Sequence, residues 1–465
     1  MKGVNNRGIM SIDNNIKENK MGVMPENKLL LNMSIPMVIS MLIQALYNIV
    51  DSIFVAKLSE NALTAVSLAF PIQSVMIAVA VGTGVGVNAI LSKRLGQRKF
   101  READKIANVS ILLAILSAAV FFMLGLFLSR WYFAIQTNDV EIINFGHSYL
   151  QICCVFSFGV FGQICFERLL QSTGRTVHTM VMQLVGAGIN LILDPLLIFG
   201  YFGFPKMGIA GAAAATVIGQ CAGMLIGLIL NIKMNKEIHF HIKDMRFDLS
   251  VIKEIYIVAI PAILMQSIGS VMVFFMNKIL LNFTSTAAAV FGIYFKLQSF
   301  IFMPVFGISN AMVPIVAYNF GAGHRERIIK TVKLSMIYSV GIMLVGFAIS
   351  QIMPGRLLMM FDASDNMLAI GSVALRIICT CYLLAGVNII ASSLFQALGD
   401  SMYSLILSAI RQLVVLLPVA YLMSLAGKLN LVWTAFPIAE IVALIVTIVL
   451  IRRTMSKLDR IKGNS

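Results

Sequence analysis

Four polar residues in otherwise apolar surroundings carry the chemistry open to this chain. Asp51 lies in QALYNIVDSIFVA, Asn190 and Asp194 in GINLILDPLLIFG, and Thr216 in GIAGAAAATV. A carboxylate at membrane depth costs at least a few kcal/mol and usually marks an ion or substrate path. Asn190 precedes Asp194 by one helical turn, on the same face. Pro195 has no amide hydrogen, so it leaves the carbonyl of Leu191 without its helical donor. Two carboxylates, an amide, a hydroxyl and a bare carbonyl suit Na⁺, and two close acids can instead share a proton. The same helix as Asp51 carries Gln44 and Asn48 on one face, a polar stripe that points into a cleft. Later in the chain Lys296 (YFKLQ), Arg411 (AIRQL) and Glu440 (PIAEI) interrupt apolar runs. Lys296 and Glu440 are candidates for a buried ion pair or for the wall of a substrate cleft. Gln163, Glu167 and Gln171, beside Arg168 and Arg175, read as an inner gate or a solvated helix end. The GTGVGVN stretch at 82–88 lacks the strand and Lys-Ser/Thr of a nucleotide loop and reads as close helix packing. No Walker motif, Ser-His-Asp set or HExxH is present, so no enzyme, cofactor or resident metal centre is expected. The six cysteines lie in apolar runs without CxxC spacing and read as small packing residues.

The elements that position these groups are membrane spans. Of 465 residues, 59% are hydrophobic and 12% charged, with mean hydropathy +0.89. Soluble domains carry about 25% charged residues, so a soluble multidomain enzyme is excluded. A helical span takes roughly 20 apolar residues. Apolar runs predict twelve helices at 34–57, 62–92, 105–128, 141–171, 177–200, 208–231, 250–281, 286–317, 327–350, 366–397, 403–425 and 431–451. The loops alternate in charge, with 27 Lys/Arg on the side of the N-terminus against six on the other. That bias predicts cytoplasmic termini. It also absorbs the net charge of +15, so no nucleic-acid partner is needed. The first 25 residues read as a loosely ordered tail without a cleaved signal peptide. At 1.5 Å per residue, Asp51 and Asp194 fall roughly 9 Å inside the outer ends of their helices, and Thr216 falls near the same level.

An internal repeat organises the whole. A shift of 225 residues superimposes Pro36 on Pro261, Phe70 on Phe295, Gln73 on Gln298, Gly82 on Gly307, Gly96 on Gly321, Lys105 on Lys330 and Gly174 on Gly399. The expected domains are a cytoplasmic tail (1–26), an N-lobe of six helices (27–231), a linker (232–252), a C-lobe of six helices (253–452) and a second tail (453–465). Two parallel repeats about an axis along the membrane normal are the build of alternating-access transporters. The repeat breaks where the acids stand: Met276 replaces Asp51, and Val419 replaces Asp194.

The motifs NIVDSIFVAKL, RLGQRKFREADK, NLILDP, GIAGAAAAT and YFKLQSFIFMPVFGISNAMVPIVAYNFGAG resemble the multidrug and toxic compound extrusion (MATE) family, in its MepA-like, DinF-related branch, over residues 27–455. The resemblance implies a V-shaped pair of lobes that exports lipophilic organic cations across the plasma (cell inner) membrane in exchange for H⁺ or Na⁺, as a monomer. It places the coupling cation at Asp51, Asn190, Asp194 and Thr216, with Ala212 one turn before Thr216, and it makes Pro36 a point of first-helix bending, to which Pro195 adds a kink in the fifth. No clear acid lies deep in 255–281, so the resemblance implies no C-lobe cation site there. A lipid-linked-precursor flippase of the same superfamily is the alternative, and it calls for a strongly cationic central cavity.

Overall fold

The computed structural model describes residues 19–240, 246–361 and 363–461. The outermost tail residues and the middle of the linker, 241–245, lie outside the described residues. Among the described residues eleven helices are long and apolar enough to cross a membrane, and a bent pair makes twelve spans. In order they are span 1 (Glu26–Ala56), span 2 (Glu60–Gly96), span 3 (Phe100–Phe127), span 4 (Val140–Val155 with Phe158–Ser172), span 5 (Thr176–Phe199) and span 6 (Ile209–Met234). Spans 7 to 12 are Leu249–Leu281, Ser285–Gly321, Arg325–Ile352, Asp365–Ala397, Ser401–Ser424 and Leu429–Ser456. Helices satisfy their backbone internally, which is what a bilayer demands.

The 225-residue shift governs the turns as well as the spans. Ser59 caps span 2 by accepting from the amide of Ala62, and its mate Thr284 caps span 8 by accepting from Ala287. Asp139 and its mate Ser364 cap spans 4 and 10 in the same way. The left-handed position before span 3 is Arg98 (φ 57°), and its mate is Gly323 (φ 78°). Both halves therefore reuse one set of local conformations on different side chains.

Three expectations change. Span 4, expected as one helix over 141–171, bends by 44° at Phe156–Ser157. Phe156 leaves helical backbone there (φ −99°, ψ 22°), and Ser157 Oγ donates to the Ala118 carbonyl on span 3, anchoring the corner. The mate in span 10 is a 3-10 turn at Cys379–Cys381. Residues 19–25, expected to be loose, form a packed turn (Lys20–Val23) whose Met21 is fully buried. The last helix runs on to Ile461 rather than ending at 451. Spans 1 and 5 continue through Pro36 and Pro195 as single helices.

The apolar cores describe the shape. One core mixes both halves at the end that holds the termini: Met21, Leu29, Leu91 and Ile106 pack there with Ile255, Ile315, Ile328 and Ile390. At the opposite end the core divides. Val55, Ala65, Tyr149 and Ile209 belong to the N-lobe alone, and Met276, Phe291, Tyr382 and Trp433 to the C-lobe alone. The lobes are joined at one end and separate towards the other.

Glycines set the junction. Gly96 of span 2 lies against the backbone of Tyr318 in span 8, and its mate Gly321 lies against the backbone of Lys93. Since 318 is the mate of 93, the contact is made twice by the pseudo-two-fold axis. Gly82 against Ile263 and Gly307 against Val38 repeat the pattern one level higher. Ion pairs rim the same end: Arg94 with Glu254 (2.9 Å), Lys105 with Asp248, and Lys330 with Glu26 (2.9 Å). The Met21–Met24 turn adds carbonyls that accept from Asn319 (3.0 Å) and Arg327 (2.6 Å).

Candidate functional site

Asp194, Asn190 and Thr216 meet where spans 5 and 6 face each other. Asp194 is fully buried on span 5, and Asn190 lies one turn below it, 3% exposed. The Asn190 amide ties span 5 to span 6. Its nitrogen donates to Asp194 Oδ2 at 3.3 Å and its oxygen accepts from the Thr216 amide at 3.1 Å. The same amide oxygen lies 3.4 Å from the Thr216 hydroxyl, which can donate to it. This closeness needs Gly219, where a Cβ would stand 2.7 Å from the Gly186 carbonyl oxygen and 3.0 Å from Asn190 Cβ. Ala212, one turn before Thr216, is fully buried in the N-lobe core. Asp51 approaches from span 1, near enough for its charge to act on Asp194. Its Oδ1 is buried and has no hydrogen-bond partner among the described residues. A carboxylate oxygen with all its lone pairs free, beside a second acid, is what a proton or a hard cation would satisfy.

A cavity of about 1250 Å³ lies between the lobes above their junction, large enough for a drug-sized molecule. Span 1 contributes Met37, Ser40, Met41, Gln44 and Tyr47. The expected stripe therefore splits: Gln44 faces the cavity, Asn48 is outside its lining, and Tyr47 takes that place. Positions 47 and 48 straddle the seam of a 3.6-residue repeat, and helix rotation chooses between them. Phe70, Met265, Phe302, Met303, Phe306 and Phe436 give walls of polarisable and aromatic surface.

The floor holds the residues read from the sequence as an inner gate or a solvated helix end. Gln163, Glu167 and Gln171 are a buried network rather than a solvated helix end. Gln163 donates to Gln183 (3.1 Å), Gln183 to Glu167 (2.8 Å), Gln171 to Glu167 (2.7 Å) and Arg168 to Gln171 (2.8 Å). Gln183 was the missed member. Its signal was there, seven residues before Asn190 and so on the same face of span 5.

The C-lobe wall corrects a pairing. Glu440 accepts from Arg411 Nη1 at 3.2 Å and from Asn388 Nδ2 at 2.7 Å, and Thr447 donates to Asn388 at 2.9 Å. Lys296 is not its partner: that ammonium sits 5.9 Å from the ring centre of Phe361 and lies outside the cavity lining. Residues Ile410–Leu416 are a π-helical stretch, a widened turn that rotates Arg411 onto Glu440.

The duplicated architecture has a match among known families. The MatE family model covers residues 36–196 and again 261–422, starting at the two mated prolines. This chain belongs to the MatE family. MatE relatives include the multidrug export protein MepA of Staphylococcus haemolyticus (strain JCSC1435), 27% identical over 417 residues, 89% of this chain and 91% of that one. MepA of Staphylococcus aureus (strain MRSA252) is also 27% identical, over 88% of this chain and 90% of its own. A solved outward-facing multidrug resistance MATE family transporter of the MOP superfamily superposes with TM-score 0.89 at 25% identity, over 96% of this chain and 99% of its own. The two matched stretches take in most of spans 1 to 5 and of spans 7 to 11.

Proposed function

We propose that this protein is a secondary-active multidrug exporter that carries lipophilic cationic molecules out of the cell by alternating access, in exchange for H⁺ or Na⁺. The observation that carries this reading is a large cavity between two mated lobes, lined on the N-lobe side by Asn190 and Thr216, with Asp194 hydrogen-bonded to Asn190 and Asp51 Oδ1 left without a partner among the described residues. It is a membrane transporter and not an enzyme, in line with its MatE relatives. The lobes meet at the end that carries the termini. With that end cytoplasmic, the cavity faces outward, and both termini and the basic loops lie inside, in the plasma membrane. The proposed cycle starts with a cation or proton at Asp51, Asn190, Asp194 and Thr216, with Ala212 packed one turn from Thr216 towards the outer end of span 6. Its binding relieves the repulsion between the two acids and favours the lobe arrangement in which they lie closest. Release inside would restore the repulsion, and Pro36, a break in the hydrogen-bond ladder of span 1, is the point where that helix can bend.

The cavity's charge argues against the flippase alternative. Its charged lining is Glu167, Arg168, Arg411 and Glu440, two of each sign, so no cationic cradle for a pyrophosphate is formed. Aromatic and methionine walls fit flat lipophilic molecules. The deciding experiment is uptake of a fluorescent organic cation into proteoliposomes under separately imposed Na⁺ and H⁺ gradients. Accumulation driven by one gradient without ATP is expected. Transport that needs ATP, or none under either gradient, would remove the reading.

A further inference from the structure

We propose that Arg411 forms the C-lobe end of the substrate site and receives a carboxylate, or a comparable anionic group, of an amphiphile whose aromatic body fills the cavity. This rests on the reading of the cavity as the substrate site.

The argument starts from the unequal halves of the Arg411–Glu440 pair. Both line the cavity. Glu440 has each of its oxygens engaged, Oε1 by Arg411 at 3.2 Å and Oε2 by Asn388 at 2.7 Å, and its side chain is 12% exposed. Asn388 is itself fixed by Thr447, so the carboxylate sits in a braced socket. The Arg411 side chain is twice as exposed, at 25%, and Glu440 takes only one of its five N–H groups. A buried pair that served stability alone would satisfy both partners. Here the wall presents the open side of a guanidinium fork, the shape that grips a carboxylate with two parallel hydrogen bonds.

The local backbone is built for that presentation. The π-helical stretch Ile410–Leu416 turns Arg411 towards the cavity, and such widened turns mark functional positions. Gln412, held by Ser408 at 3.3 Å, adds an amide beside it. Phe436, one turn before Glu440, supplies an aromatic surface on the same wall. Across the cavity the N-lobe floor carries Glu167. A molecule with a cationic and an anionic end would therefore be oriented between the lobes.

The test uses two probes that differ by one ethyl ester. Rhodamine 6G is the esterified cation, and rhodamine 19 is its free acid. Their binding to the purified full chain in detergent is read by fluorescence polarisation. Arg411→Gln combined with Glu440→Gln removes both charges and leaves no lone buried ion. It should weaken rhodamine 19 by about tenfold or more, about 1.4 kcal/mol, and leave rhodamine 6G within about twofold. Glu440→Gln alone should hold or tighten rhodamine 19, because it frees the fork. Lys296→Ala should move neither probe. If the double variant lost both probes through misfolding, Arg411→Lys would decide, by weakening the acid alone. Equal effects on the two probes, or rhodamine 19 binding that survives loss of Arg411, would overturn the assignment. So would a wild-type protein that binds no rhodamine 19. Rhodamine 6G uptake into proteoliposomes by the wild type separates the two failures: present, only Arg411 is misassigned; absent, the exporter reading falls as well.

Discussion

Adding one methyl group at the lobe junction should shift the conformational balance of the whole transporter. At Gly96 an added Cβ would run into the Tyr318 carbonyl, 2.8 Å from its carbon and 3.1 Å from the amide nitrogen of Ala322. Ordinary contact begins at 3.4 Å, and the obstructing atoms are backbone on both sides, so no side chain can swing away. Spans 2 and 8 must part by about an ångström before the carbonyl oxygen is cleared. Overpacking of this kind costs about 1–3 kcal/mol. The better helix propensity of alanine, worth up to about 1 kcal/mol, acts equally in every state and cancels. The penalty falls only on the arrangement in which Gly96 and Tyr318 touch. Gly96→Ala should therefore reduce that arrangement by a factor of roughly 5 to 150 relative to one in which these ends separate. Gly321→Ala should do the same by the mated contact with Lys93. The double variant should fall short of the sum, because the first methyl has already parted the helices. Spin labels on Val140→Cys and Asp365→Cys, mated positions at the mouth of the two lobes, read the change. Pulsed dipolar spectroscopy should show a new, shorter distance growing with each variant. A distance distribution identical to that of the parent, in variants that fold and bind normally, would refute the reasoning.

Asp51→Asn and Asp194→Asn should each abolish gradient-driven accumulation with expression intact, and Thr216→Ala should give a partial loss. An Asp194→Asn protein that still concentrates substrate at the parental level would make the acid structural. Cysteines introduced at Arg101 and Arg325 should react with an impermeant maleimide only from the cytoplasm; labelling of either in intact cells would invert the topology. The Lys105 ammonium and the span 7 amides hold the Asp248 carboxyl below its usual range. Its contribution is therefore complete above the ordinary carboxylate range and lost as pH falls through the lower folded value. Melting of Asp248→Asn should differ from the parent at pH 7 and converge with it in strong acid; a gap that persists in acid would show that the ion pair is not the cause.

The sequence by itself determined the elements and their duplication. Apolar runs fix spans because a helix closes its own hydrogen bonds, whatever its neighbours are. Caps and turns are equally local, which is why Ser59 and Thr284, or Arg98 and Gly323, do the same work in both halves. The acids were legible too, since Asp51 and Asp194 are costly at their depth and absent from the second half. Asn190, four residues before Asp194, follows from helical period alone.

Contacts between helices are another matter, because they depend on rotation, tilt and register that no single helix encodes. Lys296 and Glu440 have similar depth and opposite charge, yet Arg411 takes the acid because a π-helical turn rotates it there. Asn48 and Tyr47 compete for one stripe, and packing of span 1 gives the cavity to Tyr47. Glu167 looked solvated beside two arginines until Gln183 from another span closed over it. The bend at Phe156–Ser157 has no proline to announce it and is held from span 3. A fraction of a turn or an ångström of approach separates these outcomes, and only the packed assembly of twelve helices sets either.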